Sequence, residues 1–434
     1  MTKKLVLILI TIGLMISCVS AQAEEKTTNF VSLENCRKVG NNVFGSVTRF
    51  EDGGHIADWT NFQRSIGTLR TLIIPIDLPD ARAESSILNI KEFGLQLKNE
   101  FSRLSQGKLN LEIEVMPNWV TLSKTSSFYA SNSWTKKVID AFYAADQVGI
   151  DFSRFDLFIV KADPKTYPLE GTGALPNFGQ GQILWDGVNV LRGAFLGKEW
   201  ADVRGGIPVA IHEILHVLGL PDLYLVNLDG SSLSGKIDIM GRNIPSTPYL
   251  TSLLEWNRWK LGWSQESLLT CIDGTKSHLL KIILDDSESS SVFIDLGDTV
   301  LALEAWQDYG KNNQKSLVVY EITPKTYVWA SGLESGKISP IQIIRPKNAK
   351  NSEGTFFVGD LYSSDRFGLR FIQARENHAY ISFTPTGQKE ISQVDTRVKD
   401  ETAIKSSINC FKGKVTKKIS GINPKCPAGY KVER

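Results

Sequence analysis

The chain has 434 residues and a nearly balanced charge, with 49 Lys and Arg against 47 Asp and Glu. A nucleic-acid-binding protein usually carries a large basic excess, so this balance argues against nucleic acid as a partner. After the first residues, no apolar run is long enough to span a bilayer, and we expect no membrane span. A chain of this length is too long for one core, which predicts two domains with short ends.

The N-terminus has the pattern of a secretory signal peptide. A short basic start and an apolar run over residues 5–15 precede an Ala-Gln-Ala site at 21–23. The apolar run is too short for a membrane span but suits a cleaved signal. We therefore predict cleavage after Ala23 and a secreted, extracellular protein. The alternative is a lipid attached to Cys18, although the residues before it fit that pattern poorly.

Strands and helices alternate in the first large region. Residues 24–65 are polar and weakly patterned, and we predict an N-terminal extension or a short pro-segment there. Over residues 66–265, apolar residues recur at strand spacing and at helical spacing in turn, which predicts a layered α+β domain. The predicted elements are strands at 71–77, 109–115, 157–160 and 183–191, helices at 90–104, 134–148 and 207–218, and a glycine-rich loop at 171–181.

Residues 266–400 follow another pattern, with short β-rich runs separated by Gly, Ser, Asn and Asp. Such spacing is typical of an antiparallel β-sandwich or jelly roll, which we predict as the second domain. The runs lie at 279–284, 292–294, 300–303, 317–320, 341–344 and 380–383.

Residues 401–434 form a Lys-rich tail that contains Cys410 and Cys426. These two Cys lie close in sequence, and we expect them to pair, which leaves Cys36 for Cys271. In an alternative arrangement, the Cys36 thiolate caps a metal ion in a zymogen. We expect the basic side chains of the tail to form a solvated surface; contact with an anionic cell-wall polymer is the alternative.

The segment from His212 to Asp222 reads H-E-x-x-H-x-x-G-x-x-D and begins inside the predicted helix at 207–218. Residues four apart share one face of a helix, so the imidazoles of His212 and His216 can bind one metal ion. Glu213 lies one position round the helix, where its carboxylate reaches a metal-bound water. The chain has only five His, so chance assembly of this pattern is improbable.

A catalytic zinc ion needs three protein ligands and an open position for water. Gly219 can adopt a left-handed conformation that ends the helix, and Pro221 cannot continue it. The chain then turns back, which makes Asp222 our candidate for the third ligand. Two alternatives remain open: Asp222 is only a turn residue, or Glu255 on a later helix completes the site.

Four further residues have less specific surroundings. His55, His278 and His378 have no neighbours at ligand spacing, and we expect them to be surface or packing residues. We expect Tyr249 to pack against the core rather than to stabilise an oxyanion.

This set of residues predicts a hydrolase with one catalytic Zn²⁺. Zinc polarises a substrate carbonyl and lowers the pKa of its bound water, while Glu213 accepts the water's proton and later delivers it to the leaving amine. We predict a monomeric, secreted zinc endopeptidase that acts on proteins or peptides. The alternatives are a secreted binding or adhesion protein with a structural zinc, and a hydrolase of cell-wall peptide crosslinks.

The run from His212 to Tyr224, which ends in Gly-Leu-Pro-Asp-Leu-Tyr, resembles the immune inhibitor A-like family of secreted metallopeptidases. That family is placed with the metzincins, whose zinc helix is followed by a tight turn bearing Met. Residues 238–241, Asp-Ile-Met-Gly, match this turn, with Met240 as a floor beneath the metal. Weaker matches extend the resemblance over residues 66–325. It implies a metzincin-like catalytic domain with a twisted mixed sheet, followed by a β-domain.

The chain departs from the family pattern at two places. Leu225 stands where relatives often carry Asp, and residues 236–238 read Lys-Ile-Asp where Asp-Trp-Asp is common. A calcium-binding or hydrogen-bonding feature of the relatives is thereby put in question, and the sequence gives no separate support for Ca²⁺. Neither departure touches the proposed zinc ligands.

Overall fold

The fold is mixed α+β, with several sheets and few helices. The computed structural model describes residues 30–40, 52–56, 59, 62–132, 134–163, 172–175, 183–190, 192–197, 203–223, 237–241, 252–284, 290–308, 314–325, 340–346, 356–375, 378–390, 406–412, 415–421, 426 and 430–432. The predicted signal peptide over 1–23, Cys18, Leu225 and Tyr249 lie outside these residues. Within them, no helix is both long and apolar enough to cross a membrane.

The described helices are short to medium in length. They are α1 (Leu33–Cys36), α2 (Ile87–Leu104), α3 (Ser126–Ala130), α4 (Trp134–Gln147), α5 (Val203–Val217) and α6 (Glu255–Lys260), with 3-10 turns at Phe152–Arg154 and Glu266–Leu268.

The described strands fall into five sheets. In the first half of the chain they are β1 (Phe30–Val31), β2 (Gly67–Asp77), β3 (Leu109–Val115), β4 (Val120–Thr121), β5 (Leu157–Ala162), β6 (Thr172–Leu175), β7 (Leu184–Trp185), β8 (Val188–Asn189) and β9 (Gly193–Leu196). In the second half they are β10 (Leu269–Asp273), β11 (His278–Ile283), β12 (Ser291–Asp295), β13 (Val300–Asp308), β14 (Gln314–Ile322), β15 (Ile341–Ile343), β16 (Leu361–Ser363), β17 (Phe367–Arg375), β18 (His378–Pro385), β19 (Ser406–Lys412), β20 (Val415–Gly421) and β21 (Lys431–Val432).

The sheet of the first half has the order β3-β2-β5-β9-β6, with β4 beside β2. Its strands pair in parallel except for β6, which runs antiparallel to β9 at the edge. Parallel neighbours need crossover connections. The helix α2 connects β2 to β3, and α4 lies between β4 and β5 in the chain.

Both faces of this sheet are buried. Successive side chains of a strand point to opposite sides, so each central strand contributes apolar residues to both faces. The α2 and α5 side packs against Leu69, Ile73, Leu157 and Ile159. The α4 side packs against Leu72, Ile74, Phe158 and Val160.

The amphipathic pattern of α2 explains its position. Ser86 caps the helix, since its side chain accepts a hydrogen bond from the N–H of Leu88 at 3.2 Å. The buried face lies at helical spacing and consists of Ile90, Phe93, Leu97, Phe101 and Leu104. Burying each such side chain stabilises the fold by about 2 kcal/mol.

Most predicted elements of this half are confirmed as strands or helices, with two corrections. The loop predicted at 171–181 contains β6, whose pairing with β9 replaces loop conformation over 172–175. The single strand predicted at 183–191 is instead the hairpin β7–β8. Asp186 and Gly187 cause this break, because both have positive φ (49° and 74°), the conformation of a tight hairpin turn.

Two further sheets form the next part of the chain. One has the order β1-β10-β12-β13-β14-β15, and the other has the order β11-β18-β17-β16. Apolar side chains of both sheets share one buried cluster, for example Ile294 and Leu301 with Phe371 and Phe383. Each of the six predicted runs coincides with a strand, although the runs at 279–284 and 341–344 extend one residue beyond β11 and β15.

One pair in these sheets departs from the predicted antiparallel arrangement. The strands β10 and β12 pair in parallel. The reason is that β11, which lies between them in sequence, belongs to the other sheet, so the chain re-enters the first sheet in its original direction.

The predicted disulfides are both present. Cys36 is bonded to Cys271 and Cys410 to Cys426. The first bridge joins α1 to β10, beside the antiparallel pairing of β1 with β10. Residues 30–36 of the N-terminal extension are thus attached to the second-half sheet, and the Cys36 sulfur is bonded to another Cys rather than free to cap a metal.

Candidate metal centre

The histidines of the motif lie on α5, in which every residue from 206 to 217 is buried. Its apolar residues Ile207, Ile211, Ile214 and Leu215 have no exposed surface, and they anchor the helix in the core under the sheet. His212 and His216 are also buried, at 3% and 6% exposed. Buried polar groups are costly unless they have partners, so the surroundings of these imidazoles are informative.

Gly219 ends the helix as the sequence predicts. Its φ is 101°, a left-handed conformation that suits glycine. The N–H of Leu220 donates to the carbonyl of Leu215 at 3.0 Å, and the N–H of Gly219 donates to that of His216 at 2.9 Å. This pair of bonds is a Schellman motif, which reverses the chain direction. A Cβ at Gly219 would also lie 2.5 Å from Ile56 Cδ1.

The reversal brings three ligand atoms together. His212 Nε2 lies 3.2 Å from His216 Nε2. Asp222 Oδ1 lies 3.2 Å from His212 Nε2 and 3.3 Å from His216 Nε2. Among the residues that the structure describes, these three form the one group of His, Cys, Asp or Glu whose ligand atoms all lie within 4.8 Å of one another.

Both imidazoles are oriented by backbone carbonyls. His212 Nδ1 lies 2.9 Å from the oxygen of Ile239, and His216 Nδ1 lies 2.8 Å from the oxygen of Leu220. A carbonyl only accepts hydrogen bonds, so each Nδ1 is the protonated nitrogen. The Nε2 atoms then have their lone pairs directed at each other and at Asp222, which is the arrangement of metal-ligating histidines.

The spacing of the three atoms fits a zinc ion. Ligands about 2.0–2.2 Å from a tetrahedral zinc lie about 3.4 Å from one another, close to the observed separations. Asp222 Oδ1 is buried and lacks a hydrogen-bond partner, as expected for an oxygen whose partner is a cation. Burial acts to raise the pKa of Asp222, but His216 and His212 in their protonated, positively charged form outweigh it and hold that pKa below its ordinary value.

Glu213 follows His212 on α5 and is buried, with 8% of its surface exposed. Successive residues of a helix are rotated by about 100°, so its side chain leaves the helix beside the two imidazoles rather than between them. The carboxylate therefore belongs to the surroundings of the group and not to its three converging atoms.

The Met-bearing turn over 238–241 is organised by Asp238. Its Oδ1 accepts the N–H of Met240 at 2.8 Å, and its Oδ2 accepts the N–H of Leu254 at 2.8 Å and the Nδ2 of Asn257 at 2.9 Å. Burial raises the pKa of Asp238, and these three hydrogen bonds oppose that rise.

This turn contacts both parts of the group. The carbonyl of Ile239 holds His212. The carbonyl of Met240 accepts the N–H of Leu223, next to Asp222, at 2.9 Å. Met240 itself is fully buried in the same core as α5. The turn therefore fixes the positions of one imidazole and of the carboxylate.

The helix α6 joins this turn to the sheet β1-β10-β12-β13-β14-β15. Glu304 Oε2 accepts the N–H of Glu255 at 2.7 Å and the hydroxyl of Tyr320 at 2.9 Å, and the Tyr320 oxygen accepts the N–H of Trp256 at 3.1 Å. Burial, together with the nearby charge of Glu255, raises the pKa of Glu304 to about 8. Burial also raises the pKa of Glu255.

The alternative third ligand, Glu255, belongs to that second cluster. Its carboxylate lies 3.8 Å from Arg258 Nη1 and is outside the group of converging ligand atoms. His55 packs edge-on against Trp256 and Trp259, with ring centroids 4.8 and 4.5 Å apart. The Nε2 of His278 lies 2.7 Å from the carbonyl oxygen of Asp273.

Two features of the site were not anticipated from the sequence. These are the role of Asp238 as the centre of the turn and the carbonyls of Ile239 and Leu220 as partners of the histidines. An Asp two residues before a turn Met is a signal for the first feature. Neither a protein-family model nor a curated protein matches the chain.

Proposed function

We propose that this chain is a secreted zinc-dependent endopeptidase in which His212, His216 and Asp222 bind the metal and Glu213 is the general base. The observation that carries the proposal is the convergence of two Nε2 atoms and one carboxylate oxygen within 3.3 Å. Two lone pairs and a carboxylate at this distance repel one another unless a metal cation or a proton lies between them, and a metal cation satisfies all three atoms at once.

The donor set favours zinc over calcium. Imidazole nitrogens and a carboxylate suit Zn²⁺, whereas Ca²⁺ takes six to eight oxygen ligands. Three protein ligands leave one tetrahedral position for solvent, the arrangement of catalytic rather than structural zinc sites. When bound, zinc supplies Lewis acidity toward a peptide carbonyl and lowers the pKa of the solvent in that position.

The residues of the chain supply the remaining steps. Glu213 accepts a proton from the attacking water and delivers it to the leaving nitrogen. The carbonyls of Ile239 and Leu220 keep the imidazoles in the tautomer that presents Nε2. A purely structural zinc site has no use for a general base, so Glu213 favours the peptidase over a binding protein.

We also propose the finer description of the fold. Residues 66–265 form a metzincin-like catalytic domain of the immune inhibitor A-like type, and residues 266–400 form a β-sandwich. The support is the order of the helix α5, the Gly219 turn, Asp222 and the buried Met240 turn, together with the cluster shared by the two later sheets.

The substitution Glu213→Ala tests the mechanism. We expect the variant to retain one zinc per chain and to hydrolyse denatured casein about 10²–10⁴-fold more slowly, the usual contribution of a general base. Zinc is measured by elemental analysis after dialysis, and hydrolysis by release of a fluorescent label. The matched control is Glu92→Ala on the exposed side of α2, which should hydrolyse casein like the native chain.

Other outcomes would reject the proposal. Undiminished hydrolysis by the Glu213→Ala variant would remove Glu213 from the mechanism. A zinc-loaded native chain that cleaves no member of a broad peptide library would favour the binding protein. A chain that digests peptidoglycan but not casein would favour the cell-wall hydrolase.

A further inference from the structure

The last three strands form a small sheet of their own, in the order β20-β19-β21. Both outer strands run antiparallel to β19, and among the described strands these three pair only with one another. The Cys410–Cys426 bridge closes the unit, and Cys410 is fully buried. Small units have too little core to be stable alone and commonly depend on such a bridge. The described part of the Lys-rich tail is therefore folded, which fixes the spacing of the lysines on its strands.

The tail concentrates positive charge that the rest of the chain lacks. Residues 401–434 contain seven Lys and one Arg against two Glu, a net charge of +6. The whole chain has a net charge of only +2, so residues 1–400 carry −4. A separate basic unit on an otherwise acidic protein produces a local field that attracts anions and orients their approach.

The register shows how the described lysines are arranged. Lys417 lies directly opposite Cys410 on the neighbouring strand, and Lys412 lies two residues after Cys410, so both lysines share one face. Lys431 lies opposite Phe411 and belongs to the other face. All three lysines are exposed, and Phe411 has 37% of its surface exposed. The unit is thus basic on both faces.

One aromatic contact fixes part of this charge. Lys417 Nζ lies 5.3 Å from the ring centroid of Tyr430, a cation–π contact. The contact holds the ammonium group on the face of the sheet while leaving the side chain exposed. An incoming anion therefore meets a positive group that is already ordered.

We propose that the sheet β20-β19-β21 binds a linear anionic polymer with repeated phosphate groups, of the kind displayed on cell surfaces, through Lys412, Lys417 and Lys431. Charge on both faces suits a flexible chain that can follow the unit, whereas a flat membrane meets one face only. Lysine acts as a point charge without the planar fork by which arginine recognises bases, and the tail has seven Lys to one Arg. These features favour a repeating polymer over lipid or nucleic acid.

The test uses the full chain and fluorescently labelled long-chain polyphosphate, with binding followed by anisotropy at increasing salt. Replacing Lys412, Lys417 and Lys431 together by Ser should weaken binding about 100-fold, or about fivefold for each lysine. The dependence of affinity on salt should also become shallower, because fewer counterions are displaced. Mapping of the Cys410–Cys426 bridge by mass spectrometry checks that the variant unit has folded.

The matched control replaces three exposed lysines elsewhere, Lys91, Lys124 and Lys389, by Ser and should leave binding unchanged. The Glu213→Ala variant should bind like the native chain, because the polymer site is independent of the proposed peptidase. Equal weakening by the two triple variants would overturn the proposal. Tighter binding to anionic lipid vesicles or to duplex DNA than to polyphosphate would overturn it as well.

Discussion

The molecule contains two buried carboxylate clusters that behave in opposite ways. Asp222 faces two imidazoles, and their positive charge when protonated lowers its pKa in spite of burial. Glu304 faces a second carboxylate, that of Glu255, and its pKa rises to about 8 because of burial and that neighbour. Burial alone therefore does not decide the charge of a group; the neighbour does. The first cluster therefore favours a bound cation, and in the second cluster Glu304 keeps its proton at neutral pH.

The two clusters are also linked through the fold. Glu304 anchors the start of α6. Asn257 of α6 and Leu254, the residue before the helix, in turn donate hydrogen bonds to Asp238. Asp238 shapes the turn whose Ile239 carbonyl holds His212. The sheet that contains β13 and β14 thus supports the candidate metal centre through α6 and the turn, without supplying a ligand. Neutralising one acid of each cluster, by Glu304→Gln or Asp222→Asn, makes the same chemical change in two contrasting settings.

The largest effect is expected from Glu304→Gln, on the pH dependence of stability. The folded pKa of Glu304, about 8, exceeds the ordinary value of 4.5. The stability that the protonated carboxyl contributes is therefore complete below pH 4.5 and declines as pH rises toward 8. Relative to the variant, the native chain should lose on the order of 4 kcal/mol of unfolding free energy across that range. Urea unfolding at several pH values measures the difference.

The amide oxygen at this position can still accept both hydrogen bonds, so the variant is expected to fold. The control is Glu92→Gln, which makes the same change at an exposed carboxylate of α2 and should keep the native chain's loss of stability over this pH range. Parallel pH profiles for the native chain and the Glu304→Gln variant would show that the buried carboxyl holds no extra proton.

Asp222→Asn should act on the metal instead. Losing an anionic ligand should lower zinc affinity by more than about 100-fold. This exceeds the usual effect of replacing a residue that only hydrogen-bonds to a ligand. Competition with a chromophoric chelator measures the dissociation constant. Glu304→Gln serves as the control and should bind zinc like the native chain at neutral pH. Equal zinc affinity in the Asp222→Asn variant would exclude Asp222 as a ligand.

A smaller effect is expected where the two clusters connect. Asn257→Leu removes one donor from Asp238 and should lower zinc affinity by about tenfold, as for other outer-shell partners. The same chelator competition applies, with Asn99→Leu on the exposed side of α2 as the control. If zinc affinity is unaffected by Asn257→Leu, the turn does not depend on α6.

The difference between the clusters also explains what the sequence predicts. The residues of the metal centre lie within eleven positions, so helical periodicity and the Gly219 turn are enough to predict that His212, His216 and Asp222 come together. Glu304 and Tyr320 meet α6 across separations of 49 and 64 residues. No local sequence pattern predicts that contact, because it depends on how the sheet that contains β13 and β14 packs against the core.

The elements of the fold show the same contrast between local and long-range determinants. Long periodic segments such as α2 and β3 are predicted close to their observed bounds, since their buried faces follow from the sequence. Short elements such as β6 and β9 are missed, because four residues carry little periodicity. Their strand conformation comes from pairing, of β9 with β5 and of β6 with β9. Likewise, the parallel pairing of β10 with β12 follows from the placement of β11 in another sheet.

The most direct test of the account is an anomalous-diffraction map from crystals grown with zinc, recorded on both sides of the zinc absorption edge. We expect one strong peak bonded to His212 Nε2, His216 Nε2 and Asp222 Oδ1, with one position left for solvent. A zinc peak bonded to Glu255, or none at the two imidazoles of a zinc-saturated crystal, would contradict it.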